Sequence, residues 1–152
     1  MSNPKTVEEY IAYHIYIPTP EYKLNKGDVY HTNTINRDFS NCCIEKQKAE
    51  YVAESKRDKQ LPSRKTCLFV CDFPNVRYWY NYFEKYIADG RPIRICRLKL
   101  TGLLFWTYAS YFTMETYWNP DLPPVEKEGL FDGEYEVEEV YDKDDIIYFP
   151  ER

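Results

Sequence analysis

Two glutamates, Glu126 and Glu128, stand one residue apart immediately before an apolar and then acidic segment, residues 129–141. A carboxylate placed at the start of a strand can stabilise a positive charge that develops in a transition state, or accept a proton from a nucleophile. Carboxylates are poor strand formers, so their number in this segment needs an explanation. The competing explanation is that both glutamates belong to a solvated turn of an acidic chain.

Two further groups of residues have types that bind ligands, and each also has an ordinary structural explanation. His14 lies in the first predicted strand, where it is either a ligand-binding residue or a histidine satisfied within the fold, and His31 is a second candidate. Ser63 and Arg64 precede a strongly apolar strand. A guanidinium can clamp a phosphate with a fork of donors, but an arginine usually pairs with a nearby carboxylate.

The aromatic share of the chain is high, at 18% with 16 tyrosines. Tyrosine lines a polar cleft as easily as it fills a core, because its ring is apolar and its hydroxyl is polar. Tyr117 and Trp118 close an aromatic segment, where they either wall a binding site or belong to the core. The number of tyrosines means that the sequence alone assigns a function to no single one.

Apolar and alternating segments predict the elements that position these residues. Strands are predicted at residues 11–17, 65–72, 92–102 and 128–141, the last with a turn at Asp132-Gly133. Helices are predicted at residues 45–58, 75–89 and 105–118. A Gly-Asp turn at residues 27–28 begins a short extended segment, and residues 145–152 predict a final short strand.

The order of these elements predicts a single α+β domain over residues 1–152. Strict alternation of strands and helices would give a parallel sheet. The short strands and the hairpin-like end instead favour a mixed, mostly antiparallel split sheet with flanking helices. The chain contains neither GxGxxG nor GxxxxGK[ST], the usual phosphate-binding loops.

Composition limits the partners and the compartment. The net charge is −5 and the pI is near 5.1, so bulk attraction to nucleic acid or anionic lipid is not expected. No apolar run is long enough for a membrane span, and the polar N-terminal segment is unlike a secretory signal, so a cytoplasmic protein is expected. The five cysteines are odd in number and form no paired CxxC motif, which predicts reduced thiols and no metal site.

Four motifs occur in order along the chain: Tyr13-His14, Pro62-Ser63-Arg64, Tyr117-Trp118 and Glu126-Lys127-Glu128. Their order resembles a poorly characterised bacterial and phage family with an ADP-ribosyltransferase-like fold. Further similar pieces are Gly27-Asp28, Glu50 to Arg57, Leu68-Phe69-Val70 and Glu128 to Gly133, so the resemblance covers roughly residues 12–140. The Glu-x-Glu spacing is similar to that of arginine-modifying ADP-ribosyltransferases. His14 stands where those enzymes have arginine, which is similar to the branch that uses His, Tyr and Glu.

The resemblance implies a mono-ADP-ribosyltransferase that breaks the ribose–nicotinamide bond of NAD and passes ADP-ribose to a macromolecular acceptor such as a protein. Glu128 is then the catalytic carboxylate beside a ribose that resembles an oxocarbenium ion. Glu126 would orient the acceptor or take its proton.

The remaining candidate residues would bind NAD. His14 is implied to bind a ribose hydroxyl of the adenosine half. Arg64 would clamp the pyrophosphate with support from Ser63, and Tyr117 or Trp118 would wall the nicotinamide, a role for which several tyrosines compete.

Two alternatives remain open. An NAD glycohydrolase, in which water replaces the acceptor, has the same implied site. A non-catalytic interaction module, for example a phage or mobile-element inhibitor that docks on a protein in the host cytoplasm, belongs to a different class. The enzyme requires His14 and Glu128 to face one groove, whereas the interaction module does not.

Overall fold

The structure, a computed structural model, describes residues 4–37, 39–40, 42–109, 115–118, 120 and 127–151. The strands are β1 (Lys5–Tyr16), β2 (Val29–His31), β3 (Leu68–Val70), β4 (Arg94–Tyr108) and β5 (Lys127–Tyr141). The α-helices are α1 (Ile44–Lys56) and α2 (Val76–Tyr86). Short 3-10 turns occupy Thr32–Thr34, Phe73–Asn75, Glu115–Trp118 and Lys143–Tyr148.

The five strands form one antiparallel sheet in the order β1–β4–β5–β2. Strand β3 pairs with residues 129–131 of β5, and strand β2 pairs with residues 134–136 of β5. Both lie along the edge of β5 that β4 leaves open. The sheet curls, because β3 also meets β1 through two backbone hydrogen bonds of 2.8 and 2.7 Å between Tyr13 and Cys71. The predicted α+β class with a mostly antiparallel sheet is therefore confirmed.

Strands β4 and β5 are 15 residues long each, and a pair of glycines lets their backbones approach closely at the centre. Gly102 lies opposite Gly133, with φ values of +155° and +152°. A Cβ atom on Gly102 would lie 2.4 Å from the carbonyl oxygen of Asp132, and one on Gly133 would lie 2.5 Å from that of Thr101. The predicted turn at Asp132-Gly133 is therefore wrong, since Gly133 continues the strand through this contact.

The two faces of the sheet pack against different groups. Alternate residues of β4 point to opposite faces. One face contributes Cys96, Leu98, Leu100, Leu104 and Trp106 to the largest apolar cluster. On the other face, Val76 and Tyr80 of α2 pack with Ile95 of β4, and Phe105 packs with Tyr117 in a separate cluster. Glycine pairing and alternation together fix which side chains of β4 and β5 share a face.

The helix predicted at residues 105–118 is wrong in its described part. Residues 105–108 complete β4, and residues 115–118 form a 3-10 turn, while residues 110–114 lie outside the described residues. The error arises because β4 buries Phe105 and Trp106 on opposite faces, so its sequence lacks the simple alternation of a half-exposed strand.

The predicted final strand is also wrong, since residues 143–148 form a 3-10 turn. The side chain of Asp142 accepts a hydrogen bond from Asp144 N at 3.0 Å, and Asp145 accepts one from Asp142 N at 2.9 Å. This reciprocal capping favours a helical turn over an extended chain.

The two other predicted helices and the strand before Asp72 are confirmed, with boundaries shifted by a few residues. Strand β1 begins six residues earlier than predicted, at Lys5 rather than Ile11. The irregularity predicted in β4 corresponds to a register shift after Arg97, where Glu138 of β5 is the extra residue.

Within the described residues, no helix is long and apolar enough to cross a membrane.

Candidate functional site

Arg64 lies at the centre of a hydrogen-bonded network of four side chains. Its Nε donates to both carboxylate oxygens of Glu50, at 2.6 and 3.2 Å. Its Nη1 donates to the hydroxyl of Tyr117 at 2.7 Å and to Oε1 of Glu128 at 3.0 Å. The planar guanidinium, with donors in a fixed fork, suits this bridging of two carboxylates.

The loop that carries Arg64 is fixed to the end of α1 by polar contacts. The hydroxyl of Ser63 donates to Oε2 of Glu54 at 2.7 Å, and Nε of Arg57 donates to the other oxygen of the same carboxylate at 2.9 Å. Arg57 also donates to the carbonyl of Leu61 at 2.7 Å. Ser63 thus stabilises the loop that presents Arg64.

The other two members of the network come from β5 and from the 3-10 turn that follows β4. Glu128 is the second residue of β5 and stands opposite Thr107 in register. The hydroxyl of Thr107 donates to the carbonyl of Tyr117 at 2.6 Å, which holds the 3-10 turn against the same strand. Tyr117 is fully buried, and its hydroxyl donates to Oε1 of Glu128 at 2.6 Å.

Electrostatics keep Arg64 charged and Tyr117 neutral. Burial acts to lower the pKa of Arg64, but the neighbouring phenol oxygen and the two carboxylates outweigh burial and raise it. Burial, followed by the charge of Glu128, raises the pKa of Tyr117 well above its ordinary value. The formal charges of Glu50, Arg64 and Glu128 add to −1, so the network has a net negative charge.

Glu128 and Arg64 form part of the wall of a cavity of about 300 Å³. The rest of the described lining is mainly apolar and includes the rings of Tyr13, Phe69, Trp79, Tyr82 and Phe83. Lys46 of α1 supplies a cationic group to the same lining. The indole Nε1 of Trp79 donates to the carbonyl of Lys127 at 3.1 Å, which fixes this ring next to Glu128. Glu128 therefore lines this cavity, and 15% of its side chain is exposed.

His14 is buried and both of its ring nitrogens are hydrogen-bonded within the protein. Its Nδ1 lies 2.7 Å from the carbonyl oxygen of Phe69, which can only accept, so Nδ1 carries the proton. Its Nε2 then accepts from the hydroxyl of Tyr22 at 2.9 Å. Burial lowers the pKa of His14 to about 4, so the ring is neutral at neutral pH.

His14 and Glu128 do not line the same cavity. His14 lies opposite Cys96, on the face of the largest apolar cluster, whereas Thr107 opposite Glu128 is on the other face of β4. His14 lines a second cavity of about 630 Å³. The two cavities adjoin, because Ile15, Phe69 and Phe83 line both.

The other predicted site residues have structural contacts or lie elsewhere. Trp118 donates from Nε1 to the carbonyl of Ala53 at 2.8 Å and stacks on Phe105 at 5.9 Å between centroids. Tyr117 and Trp118 are not among the described residues that line the cavity of Glu128. His31 is exposed on β2, opposite Glu134.

One predicted catalytic residue, Glu126, lies outside the described residues. The described part of the chain contains no cluster of His, Cys, Asp and Glu side chains that could hold a metal ion.

The sequence alone assigns no role to three residues of the network and the cavities. Glu50 is one of three glutamates in α1, and no spacing rule distinguishes it from Glu45 and Glu54. Trp79 lies in an apolar helical stripe that indicates only a buried face. The contact between Tyr22 and His14 depends on how the loop after β1 folds back, and no motif marks it.

A family described as "Protein of unknown function (DUF2441)" matches residues 5–143 of the chain. No curated protein matches it.

Proposed function

We propose that this chain, which belongs to the DUF2441 family, is a mono-ADP-ribosyltransferase that uses NAD. In the reaction, the bond between ribose C1′ and the nicotinamide nitrogen breaks, and its electron pair leaves with nicotinamide. The ribose passes through a transition state that resembles an oxocarbenium ion. A nucleophile on a macromolecular acceptor then bonds to C1′ and loses its proton.

The carboxylate of Glu128 on the wall of an aromatic cavity is the observation that carries this proposal. Its Oε1 is held by two donors, Arg64 at 3.0 Å and Tyr117 at 2.6 Å, so the group is oriented before any ligand binds. A fixed negative charge beside the ribose stabilises positive charge that exists mainly in the transition state. The net charge of −1 on the network acts in the same direction.

The shape and lining of the cavity support binding of the nicotinamide–ribose half of NAD. Its volume of about 300 Å³ is at the lower end of the ~300–1,000 Å³ range of ligand pockets, which suits part of a dinucleotide. Flat rings such as Trp79, Phe69 and Tyr82 suit a flat leaving group. Lys46 offers a cation to the pyrophosphate, a role that we transfer from Arg64 because Arg64 is bound to Glu50 and Glu128.

The adenosine half would extend into the adjoining cavity of about 630 Å³, which His14 lines. For His14 to bind a ribose hydroxyl through Nε2, the ligand must replace the hydroxyl of Tyr22 as donor. The role of His14 as an NAD-binding residue stays a prediction, and Tyr22 is the residue whose movement it requires.

The decisive experiment is to incubate the purified chain with NAD and measure free nicotinamide, with and without candidate acceptor proteins. NAD labelled in the adenosine half reports where ADP-ribose goes. Release together with label on a macromolecule supports the transferase. Release with free ADP-ribose as the sole labelled product identifies an NAD glycohydrolase, and no release with any acceptor contradicts both activities.

The second candidate is a non-catalytic interaction module, and the outer face of α1 favours it. Ile44, Tyr51 and Val52 recur at helical spacing and are 62%, 77% and 40% exposed. Exposed apolar side chains grouped on one helix face are typical of a surface that binds another protein. A chain that does not cleave NAD, and that binds a partner protein through this face of α1, would support the interaction module.

A further inference from the structure

Glu50 is the one acidic side chain that is buried in the part of the chain that the structure describes. It lies on α1 with only 4% of its side chain exposed. A buried carboxylate is costly unless it is paired and hydrogen-bonded. Both oxygens of Glu50 bind Nε of Arg64, and Glu50 is not among the described residues that line the cavity. Glu50 therefore acts on a bound ligand through its charge and through its contact with Arg64.

We propose that Glu50 is a positioning residue that sets the orientation and the effective charge of Glu128 through Arg64. This inference rests on the proposed function, because it assigns Glu50 a role in the same reaction. The two carboxylates lie on opposite sides of one guanidinium, Glu50 at Nε and Glu128 at Nη1.

The geometric part of the role follows from the contacts of the guanidinium. The group is planar and lies 4.9 Å from the centroid of Phe69 and 5.4 Å from that of Tyr117. The two contacts from Nε to Glu50 hold the guanidinium at the side away from Nη1. With the guanidinium held in this way, Nη1 is directed at both the hydroxyl of Tyr117 and Oε1 of Glu128.

The electrostatic part follows from the charges. Arg64 alone beside Glu128 would cancel the negative charge that stabilises the ribose cation. Glu50 adds a second negative charge beside Arg64. The formal charges of Glu50, Arg64 and Glu128 therefore sum to −1. Replacing Glu50 by glutamine makes this sum zero while keeping the size of the side chain.

The test compares Glu50→Gln with Glu45→Gln in steady-state release of nicotinamide from NAD. Glu45 is a matched control, because it lies on the same helix, is exposed, and is not among the described residues that line the cavity. We expect Glu50→Gln to lower kcat by about 10- to 100-fold, with KM for NAD changed less than about twofold. Glu45→Gln keeps the kcat of the wild type.

Equal kcat values for wild type and a folded Glu50→Gln variant overturn the inference, as does a fall in kcat that Glu45→Gln reproduces. Should Glu50→Gln not fold, Glu50→Asp keeps the charge and shortens the side chain by one methylene. The same loss of kcat at constant KM is then expected from misplacement of Arg64, and a wild-type kcat overturns the inference.

An additional measurement does not depend on catalysis. Urea unfolding of Glu50→Gln, Glu128→Gln and the double variant forms a thermodynamic cycle. We expect the combined effect on the unfolding equilibrium constant to differ from the product of the single effects by more than about threefold. A wild type that releases no nicotinamide contradicts the proposed function, whereas an additive cycle contradicts the link from Glu50 to Glu128.

Discussion

The hydroxyl of Tyr117 lies 2.6 Å from Oε1 of Glu128, and the same hydroxyl accepts a hydrogen bond from Nη1 of Arg64 at 2.7 Å. The direction of both bonds is fixed, because a guanidinium only donates and a carboxylate only accepts. Tyr117 is therefore a link between the cation and the carboxylate, inside the protein and away from the cavity lining. This link explains how the carboxylate is held still at the wall of a cavity.

Replacing Tyr117 by phenylalanine should destabilise the fold, because it leaves Nη1 of Arg64 and Oε1 of Glu128 without a shared partner. We expect a loss of about 1–3 kcal/mol in the free energy of unfolding, measured by urea denaturation. Tyr148→Phe, at an exposed tyrosine, is the control and should change stability by less than about 0.5 kcal/mol. Equal effects of the two substitutions would show that the hydroxyl of Tyr117 contributes nothing to the network.

His14 should make stability depend on pH. Its pKa is about 4 in the folded protein, mainly because of burial, and near 6.5 in the unfolded chain. The unfolded chain therefore binds more protons between these values, so the contribution of His14 is complete above about pH 6.5 and decreases as pH falls to about 4. Between pH 7 and 4.5 we expect the wild type to lose about 2–3 kcal/mol more than His14→Gln.

Unfolding of both proteins by urea at a series of pH values measures this difference, since the other titrating groups are common to the two. Parallel stability curves for wild type and His14→Gln would contradict the buried, neutral state of the ring.

Gly102→Ala should be more destabilising than Gly90→Ala, although both glycines have positive φ. The added methyl group at residue 102 meets the carbonyl oxygen of Asp132 at 2.4 Å, whereas the space around residue 90 is open. We expect Gly90→Ala to lower the free energy of unfolding by about 1 kcal/mol from backbone strain alone. Gly102→Ala should lower it by about 1–3 kcal/mol more. Melting of both variants by circular dichroism tests this. Equal melting temperatures would mean that β4 and β5 do not approach closely at this pair.

The sequence predicted the elements whose patterns are local. Helix α1 follows from a run of helix formers, α2 from an apolar stripe, and β3 from a short apolar run. The errors came from contacts between distant residues. Residues 105–108 continue β4 because they pair with β5, and Gly133 continues β5 because it meets Gly102. No local signal distinguishes these pairs from a helix or a turn.

The sequence predicted which residues belong to the site better than it predicted how they are arranged. Arg64 and Glu128 were candidates from their motifs, and they lie 3.0 Å apart. Arg64 binds Glu50, 14 residues before it in the chain, and Glu128, 64 residues after it, and spacing rules reach neither separation. The expectation that His14 and Glu128 face one groove depended on which way each side chain leaves its strand. The adjoining but separate cavities are set by the curl of the sheet between β1 and β3.

The predictions of a single domain and of a cytoplasmic location stay predictions.

Release of nicotinamide from NAD by Glu128→Gln, compared with wild type and Glu134→Gln, tests the central claim most directly. Glu134 lies on the same strand, is exposed, and is not among the described residues that line the cavity of Glu128. The proposed role of the carboxylate predicts that Glu128→Gln lowers the rate by at least ~100-fold, while Glu134→Gln keeps the wild-type rate. A folded Glu128→Gln protein that releases nicotinamide at the wild-type rate would contradict it.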